Sequence, residues 1–157
     1  MNFPAYDTIN QILHAFQVVP EIIEHPAVLT CEDADRYTPQ PQNGIKSILL
    51  KWKHDYLVIV IPGDKRASIE KIKSISQQKR ISFAKMEDAL IITGAQKGAL
   101  PPFGHVQQIP ILIDETIQRF TSIYFNPGIN TQTYGLKNAD FIKIFEHVAE
   151  FTDIIEK

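Results

Sequence analysis

The run YLVIVIP, residues 56–62, constrains the fold most, because it carries large apolar residues on both of its faces. A strand of this kind has no polar face to turn towards water, so it belongs in the interior of a sheet. The run SILLKW, residues 47–52, precedes it across the short turn KHD, residues 53–55. Two β-rich runs this close together predict a β-hairpin. The chain is therefore organised around a sheet in which residues 56–62 form a central strand.

Helical patterns and further strands surround this hairpin. Apolar residues recur with the spacing of an amphipathic helix before Pro20, and Thr30 can cap a short acidic helix. Asn138 can cap a last helix whose inward residues are Phe141, Ile144, Phe145 and Val148. Other helices are predicted over residues 64–78 and 85–92, and short strands over residues 80–84, 110–113 and 122–125. The predicted fold class is α+β with a mixed sheet.

The composition is that of an ordinary globular chain. A length of 157 residues, of which 44% are hydrophobic, fits one core, and no linker divides it, so we expect a single domain over residues 1–157. The N-terminus lacks the features of a secretion signal, and no stretch approaches the ~20 apolar residues of a membrane span. We expect a cytoplasmic protein with no membrane partner, acting as a monomer.

Positive charge is concentrated in the middle of the chain. Residues 46–97 carry eleven Lys and Arg against five acids, whereas residues 1–45 and 98–157 are both acidic, and the net charge is −2. A basic segment can attract phosphates, which supply the sequence-independent part of nucleic-acid affinity. It can equally be a solvated helix that carries lysines.

Standard catalytic and metal-binding motifs are absent. There is no GxSxG, HExxH, GxxxxGK[ST] or GxGxxG motif, and the five histidines, at 14, 25, 54, 105 and 147, lack the spacing of metal ligands. We therefore expect no metal and no cofactor. Cys31 is the one cysteine, and a thiol hydrolase that uses Cys31 and His25 is a weak alternative.

Two features carry more chemical information. Lys46 shares its side-chain direction with Ile48, Leu50 and Trp52 if the strand continues, so it either meets an anionic partner in a cleft or reaches solvent from the strand end. The loop GALPPFG, residues 98–104, has glycines that can present N–H groups and prolines that stiffen the backbone. Such a loop can hold an acyl oxygen, or it can be a tight structural turn.

Taken together, the ordered segments GIKSILL, YLVIVIP, GALPPFG, ILIDETI and SIYFNPG, with EHPAVLTCEDA upstream, resemble the YbaK/ProX family of aminoacyl-tRNA editing domains over roughly residues 22–145. The resemblance implies a curved mixed sheet flanked by helices. It also implies an aminoacyl-tRNA deacylase that hydrolyses the ester of a mischarged tRNA, with water attack aided by backbone N–H groups and the tRNA ribose hydroxyl. The partners would be aminoacyl-tRNA and, as a second candidate, an aminoacyl-tRNA synthetase.

The resemblance also implies roles for individual residues. Lys46 would lie near the adenosine and its phosphate, and Gly98 and Pro102 would anchor the loop that places the carbonyl and the water. The predicted substrate-contacting residues are Ala99, Leu100, Pro101, Phe103, Gly104, Thr30, Ser47 and Asn126. Asp114 would be structural, and Ile22, Ile23 and Ile45 are more simply core residues.

The sequence does not assign the chain to one substrate group within the family. Asn126 stands where one alanine-editing branch has histidine, and Ser47 stands where other branches have Asn or Thr. We expect a small amino acid, such as alanine or cysteine, on a proline tRNA or a similar tRNA. A non-catalytic module of the same fold that binds tRNA or a small ligand is the alternative.

Overall fold

The structure is a computed structural model that describes residues 2–146 and 148–157. The helices are α1 (Pro4–Ala15), α2 (Cys31–Asp35), α3 (Ile69–Ser76), α4 (Met86–Thr93) and α5 (Asn138–Phe145). The strands are β1 (Glu21–Glu24), β2 (Ile45–Trp52), β3 (Asp55–Pro62), β4 (Ser82–Phe83), β5 (Ile111–Asp114), β6 (Ser122–Phe125), β7 (Gln132–Lys137) and β8 (Ala149–Thr152). Of the five histidines, His147 lies outside the described residues.

The predicted hairpin is confirmed. Strands β2 and β3 pair antiparallel without a break, from Ile45 opposite Pro62 to Trp52 opposite Asp55. The turn contains two residues rather than the predicted three, and the first of them, Lys53, has a positive φ of 53°. The hairpin lies in a five-stranded mixed sheet of order β4-β2-β3-β5-β8, so β3 is the central strand, as predicted.

Alternate residues of β3 enter two different cores, which explains why this strand is apolar on both faces. Val58 and Val60 join a large cluster that also contains residues of α1, α5 and β6. Leu57, Ile59 and Ile61 join a smaller cluster that contains Ile72 of α3. The period of two places successive side chains on opposite faces, so apolar material covers both sides of the sheet.

A second, three-stranded antiparallel sheet of order β1-β7-β6 was not predicted from the sequence. Strands β1 and β7, like β8 of the larger sheet, have short and partly polar sequences that carry no clear period of two. The α+β class and the mixed sheet are confirmed, but the strands divide between two sheets.

Most predicted helices are present, with three differences. The Thr30 hydroxyl accepts a hydrogen bond from the Asp33 amide and caps α2, as predicted. Helix α3 covers less than residues 64–78 because its cap is Ser68. Asn138 does not cap α5, since its side chain donates to the carbonyl groups of residues 117, 118 and 120 instead. Val148 follows the end of α5 and is 60% exposed, so its predicted inward position is wrong.

Within residues 2–146 and 148–157, every helix is too short or too polar to cross a membrane.

Candidate active site

A cleft of about 340 Å³ runs along the free edge of β2. Strand β4 pairs with β2 at Leu50 and Lys51, so within the described chain the edge of residues 45–49 has no strand beside it. Helix α4, the start of α2 and the segment 95–100 form the remaining walls of the cleft. Of the predicted site residues, the cleft is lined by Thr30, Lys46, Ser47, Gly98, Leu100 and Asn126. Ile45 also contributes to the lining.

The backbone of β2 offers hydrogen-bonding groups to this cleft. The carbonyl oxygen of Leu49 accepts a hydrogen bond of 2.9 Å from the amide of Ala84, so it points away from β3. In an antiparallel pair, every second residue directs both its N–H and its C=O to the same side. The N–H and C=O groups of Ser47 therefore also point to the open edge, where a ligand can reach them.

Lys46 lies at the end of β2 that borders the cleft. It follows the same alternation as Ile48, Leu50 and Trp52, which pack in or against the smaller core cluster, and it is half-buried. No ion pair between Lys46 and a carboxylate occurs in the part of the chain that the structure describes. The cleft therefore contains a cation that has no carboxylate partner among the described residues.

Two glycines set the shape of the 98–104 loop. Gly98 has a φ of +78°, and a Cβ there would lie 3.1 Å from the Cα of Leu29. Gly104 has a φ of +81°, and a Cβ there would lie 2.6 Å from Cγ1 of Ile9. Both positions combine a left-handed backbone with close neighbours, so only glycine fits without strain. The loop is held between α1 and the segment before α2.

Hydrogen bonds from residues 126–130 hold the first half of this loop. Nδ2 of Asn126 donates to the carbonyl oxygen of Gly98 at 3.3 Å, and Nδ2 of Asn130 donates to that of Lys97 at 3.4 Å. Oε1 of Gln96 accepts a hydrogen bond of 2.8 Å from the backbone amide of Asn130, and the backbone amide of Gln96 donates to the Gly128 carbonyl. Polar side chains thus position the backbone next to the cleft.

The second half of the loop is anchored in the core. Ala99, Pro101, Pro102 and Phe103 are buried, and none of them lines the cleft. The Phe103 ring contacts the rings of Phe125 and Phe145, with centroid distances of 5.7 and 5.5 Å. The loop therefore presents Gly98 and Leu100 to the cleft, while its prolines and Phe103 form the support behind them.

The amides of Gly98 and Leu100 donate no hydrogen bond to any residue that the structure describes. The neighbouring Ala99 amide, by contrast, donates to the Gln96 carbonyl. Two amides without a protein acceptor, on a stiff loop beside a cation, suit the stabilisation of a negative oxygen.

Burial of the Cys31 thiol raises its pKa above the ordinary value; the positive charge of Lys46 opposes this shift, and the Asp35 carboxylate reinforces it. Cys31 lines the cleft, but its thiol is a poor nucleophile at neutral pH. The ring nitrogens of His25 contact the Pro26 carbonyl and the Thr133 hydroxyl at 2.9 and 2.8 Å. Both ring nitrogens of His25 are thus engaged by other groups, and within the described residues no hydrogen bond joins His25 to Cys31.

Asp114 is buried and belongs to the fold rather than to the cleft. Its carboxylate accepts hydrogen bonds from the amide and hydroxyl of Thr116 and from the Ile154 amide. Ile22 and Ile23 lie on β1, outside the cleft. Ile22 is 52% exposed, so the expectation that it is a core residue is wrong. In residues 2–146 and 148–157, no three His, Cys, Asp or Glu side chains are grouped as metal ligands would be.

Sequence reasoning missed the wall formed by α4. Met86, Ala89, Leu90 and Thr93 line the cleft from this helix. Met86 and Leu90 are 51% and 37% exposed. Apolar residues on all sides of KMEDALII were the available signal, because a helix with such a sequence has a second face to cover.

Residues 25–144 match the model of the aminoacyl-tRNA editing domain family. The multifunctional Ser/Thr-tRNA deacylase ProXp-y of Escherichia coli K12 is 28% identical over 130 residues, which are 78% of this chain and 77% of the relative. A proline–tRNA ligase of Bacillus licheniformis is 27% identical over 133 residues, which are 84% of this chain but only 23% of the ligase.

The fold is also that of solved structures. A candidate trans-editing enzyme for prolyl tRNA synthetase superposes with a TM-score of 0.80 over the full length of both chains, at 17% identity. At this level of identity the likeness concerns the fold alone. The family match covers most of the chain, including β2, the 98–104 loop and the cleft between them, and this protein belongs to the aminoacyl-tRNA editing domain family.

Proposed function

We propose that this aminoacyl-tRNA deacylase hydrolyses the ester between a small amino acid, such as alanine or cysteine, and the 3′ end of a proline tRNA or a similar tRNA. The observation that carries the proposal is the cleft at the β2 edge. It combines the Lys46 cation with the amides of Gly98 and Leu100, none of which has a partner among the described residues, and the Cys31 thiol in it has a raised pKa. These groups suit an attack by water on a bound ester.

In the proposed reaction, the oxygen of a water molecule attacks the ester carbonyl carbon, and the ribose hydroxyl next to the ester takes part in orienting the water. Negative charge develops on the carbonyl oxygen, where the loop amides would donate hydrogen bonds. The bond between the carbonyl carbon and the ribose oxygen then breaks, and that oxygen takes up a proton from the water. One preorganised donor of this kind contributes about 3 kcal/mol to the transition state.

Lys46 would bind the phosphate of the terminal adenosine rather than take part in proton transfer. An ammonium group is a compact cation that suits a phosphate oxygen. The open backbone of Ser47, one residue further along β2, would add a hydrogen-bond donor and acceptor for the same nucleotide or for the amino acid.

Selection of a small amino acid would depend on a rigid pocket wall that does not move to admit a larger side chain. Such a wall can exclude larger side chains, but one methylene of difference is worth only about 1–3 kcal/mol in a pocket. Leu100 lines the cleft and is followed in the chain by the buried Pro101 and Pro102. Phe125 also lines the cleft. The relatives are named for serine and threonine tRNA or for proline tRNA, so the substrate panel must include all of these.

The test is release of labelled amino acid from Ala-, Cys-, Ser-, Thr- and Pro-tRNA by the wild-type protein, by Lys46→Ala and by Lys65→Ala. Lys65 is an exposed lysine outside the cleft and serves as the matched control. We expect hydrolysis of one or two small aminoacyl esters, a loss of at least about 100-fold in Lys46→Ala, and little change in the control. Thermal melts would show that the two variants are folded.

A folded wild-type protein that binds tRNA but hydrolyses none of the five esters would favour the non-catalytic binding module. A prolyl-tRNA synthetase is the candidate protein partner, because relatives of this chain occur within such ligases. A pull-down with and without tRNA tests that association. The proposed substrate belongs to translation, which agrees with the cytoplasmic location expected from the sequence.

A further inference from the structure

A second concave surface lies next to the cleft and is strongly basic. This basic groove, of about 500 Å³, is lined by the end of β2, by β4 and by residues around them. Its cationic lining residues are Lys51, Lys53, Lys73, Lys79, Arg80 and Lys85. The groove thus collects six of the sixteen Lys and Arg residues of a chain whose net charge is −2.

The positive charge of the basic groove is hardly compensated. Asp88 is the one carboxylate that lines it, and none of the six cations forms an ion pair with any residue that the structure describes. Lys71, nearby in sequence, is by contrast paired with Asp153 at 2.8 Å. Clustered, unpaired cations in a concavity raise the local potential and attract an extended polyanion.

An aromatic side chain lies at the border between the basic groove and the cleft. Phe83 lines both concavities, and 62% of its surface is exposed. Trp52 also lines the groove and is half-buried. Cations that follow a backbone, combined with exposed aromatic rings on which bases stack, are the features of surfaces that bind single-stranded nucleic acid. If the ligand of the groove were an acidic protein, its carboxylates would need the cations but no exposed aromatic ring. The exposed Phe83 ring therefore favours a nucleic acid.

The two concavities adjoin each other, because Phe83 lines both of them. Lys46 lines the cleft and Lys51 lines the groove. They are five residues apart on β2, which corresponds to about 17 Å along the strand, and their side chains point to opposite faces of the sheet. A single strand of a few nucleotides covers such a distance. Lys85 in the groove directly precedes α4, whose residues line the cleft.

We propose that the basic groove binds the single-stranded 3′ end of tRNA, with its cations on the phosphates and Phe83 stacked on a base. The inference rests on the proposed function, because it places the nucleotides that precede the esterified adenosine in the cleft. It gives the basic middle of the sequence a specific partner. Nothing in the chemistry of the cleft requires the groove, so the two proposals can be tested separately.

The experiment measures binding of uncharged proline tRNA, and of a fluorescent oligoribonucleotide with the sequence of its single-stranded 3′ end, across a series of salt concentrations. The groove variant is Lys79→Glu with Arg80→Glu. Its matched control is Lys65→Glu with Arg66→Glu, another exposed Lys-Arg pair that lies outside the groove. A third protein carries Phe83→Ala.

For the groove variant we expect affinity to fall about tenfold or more at low salt. The slope of log K against log salt should become shallower by about 1.4, since each phosphate contact to a single strand contributes about 0.7. The control should keep the wild-type slope. Phe83→Ala should weaken binding with an unchanged slope, because stacking releases no counterions.

Equal slopes and affinities in the groove variant and its control would overturn the inference, as would wild-type protein that binds neither RNA. Competition by poly-L-glutamate as strong as that by the oligoribonucleotide would also overturn it, in favour of an acidic protein partner. Groove-dependent binding without hydrolysis of any ester would leave the groove standing and reject the proposed function. Hydrolysis by the groove variant with an unchanged KM would support the proposed function and reject the role of the groove.

Discussion

Asn126 holds Gly98 in place: the Asn126 side-chain amide donates a hydrogen bond of 3.3 Å to the Gly98 carbonyl, 28 residues earlier in the chain. Both residues line the cleft. The Gly98 carbonyl belongs to the peptide unit that lies between the Gly98 and Leu100 amides. This hydrogen bond therefore helps to orient the two amides, to which we assign oxyanion stabilisation.

Asn126→Ala should lower deacylation about fivefold while lowering Tm by only about 1–6 °C. A neutral hydrogen bond at a partly exposed site contributes only about 0.5–1.5 kcal/mol, and its loss here would loosen the loop rather than the core. The matched control is Asn43→Ala, which removes another exposed side-chain bond, to Gln40, outside the cleft. Equal activity in the two variants would contradict a positioning role for Asn126.

Gly98→Ala should reduce both activity and stability. The φ of +78° and the 3.1 Å approach to Leu29 mean that a Cβ strains the backbone and pushes the loop away from the segment before α2. We expect a loss of about 1 kcal/mol in the free energy of unfolding and at least a tenfold fall in kcat/KM. Urea unfolding and initial rates on the best ester of the panel measure the two effects. Full activity at wild-type stability would show that the loop adapts and that its shape does not matter.

The hairpin and the central strand could be predicted because a run that is apolar on both faces leaves few alternatives. Lys46 and Gly98 could be singled out because a lysine on an apolar strand face and a proline-rich loop are local anomalies. Their meeting at one cleft follows from the pairing of distant strands, which no local pattern encodes. The family resemblance supplied that information before the structure did.

Other parts of the site could not be read from the sequence. Nothing in GALPPFG indicates that Leu100 faces the cleft while Phe103 packs against Phe125, because a loop has no period. Asn138 matches the pattern of a helix cap, but its side-chain amide donates to three carbonyl groups of residues 117–120, and the preceding Lys137 takes the cap position. In each case tertiary contacts decided between options that were locally equivalent.

Cys31 should react slowly with iodoacetamide at neutral pH. Burial raises its pKa, so the thiolate fraction at pH 7–8 is below that of free cysteine, and the rate should rise steeply only at more alkaline pH. Lys46 opposes this shift, so Lys46→Ala should slow alkylation further at each pH. The rates can be followed by mass spectrometry at pH 7, 8 and 9.

Cys31→Ser should retain hydrolysis with an unchanged pH profile, since no step of the proposed reaction uses the thiol. Abolished hydrolysis by a folded Cys31→Ser protein would revive the thiol mechanism. Faster alkylation in Lys46→Ala than in the wild type would contradict the electrostatic contact between the two side chains.

His105 should make the stability of the 98–104 loop sensitive to acid. Its Nε2 lies 2.8 Å from the Pro101 carbonyl oxygen, and burial lowers the pKa of the imidazole, although this hydrogen bond opposes the shift. In the unfolded chain the imidazole has a pKa of about 6.5, so below that pH the unfolded state binds a proton that the folded state does not. The contribution is therefore fully present above about pH 6.5 and is lost as the pH falls towards the folded-state pKa.

The measurement compares Tm from pH 7.5 to pH 5.5 for the wild type and for His105→Gln, which keeps a donor for Pro101 but does not titrate. On acidification, the Tm of the wild type should fall further than that of the variant. In a chain of this size, each kcal/mol that His105 protonation removes from the free energy of unfolding lowers Tm by about 2–4 °C. Carboxylates and the other histidines are common to both proteins, so the difference between the two curves isolates His105. Parallel curves would mean that His105 takes up its proton in the folded state without cost, and that burial does not control its protonation.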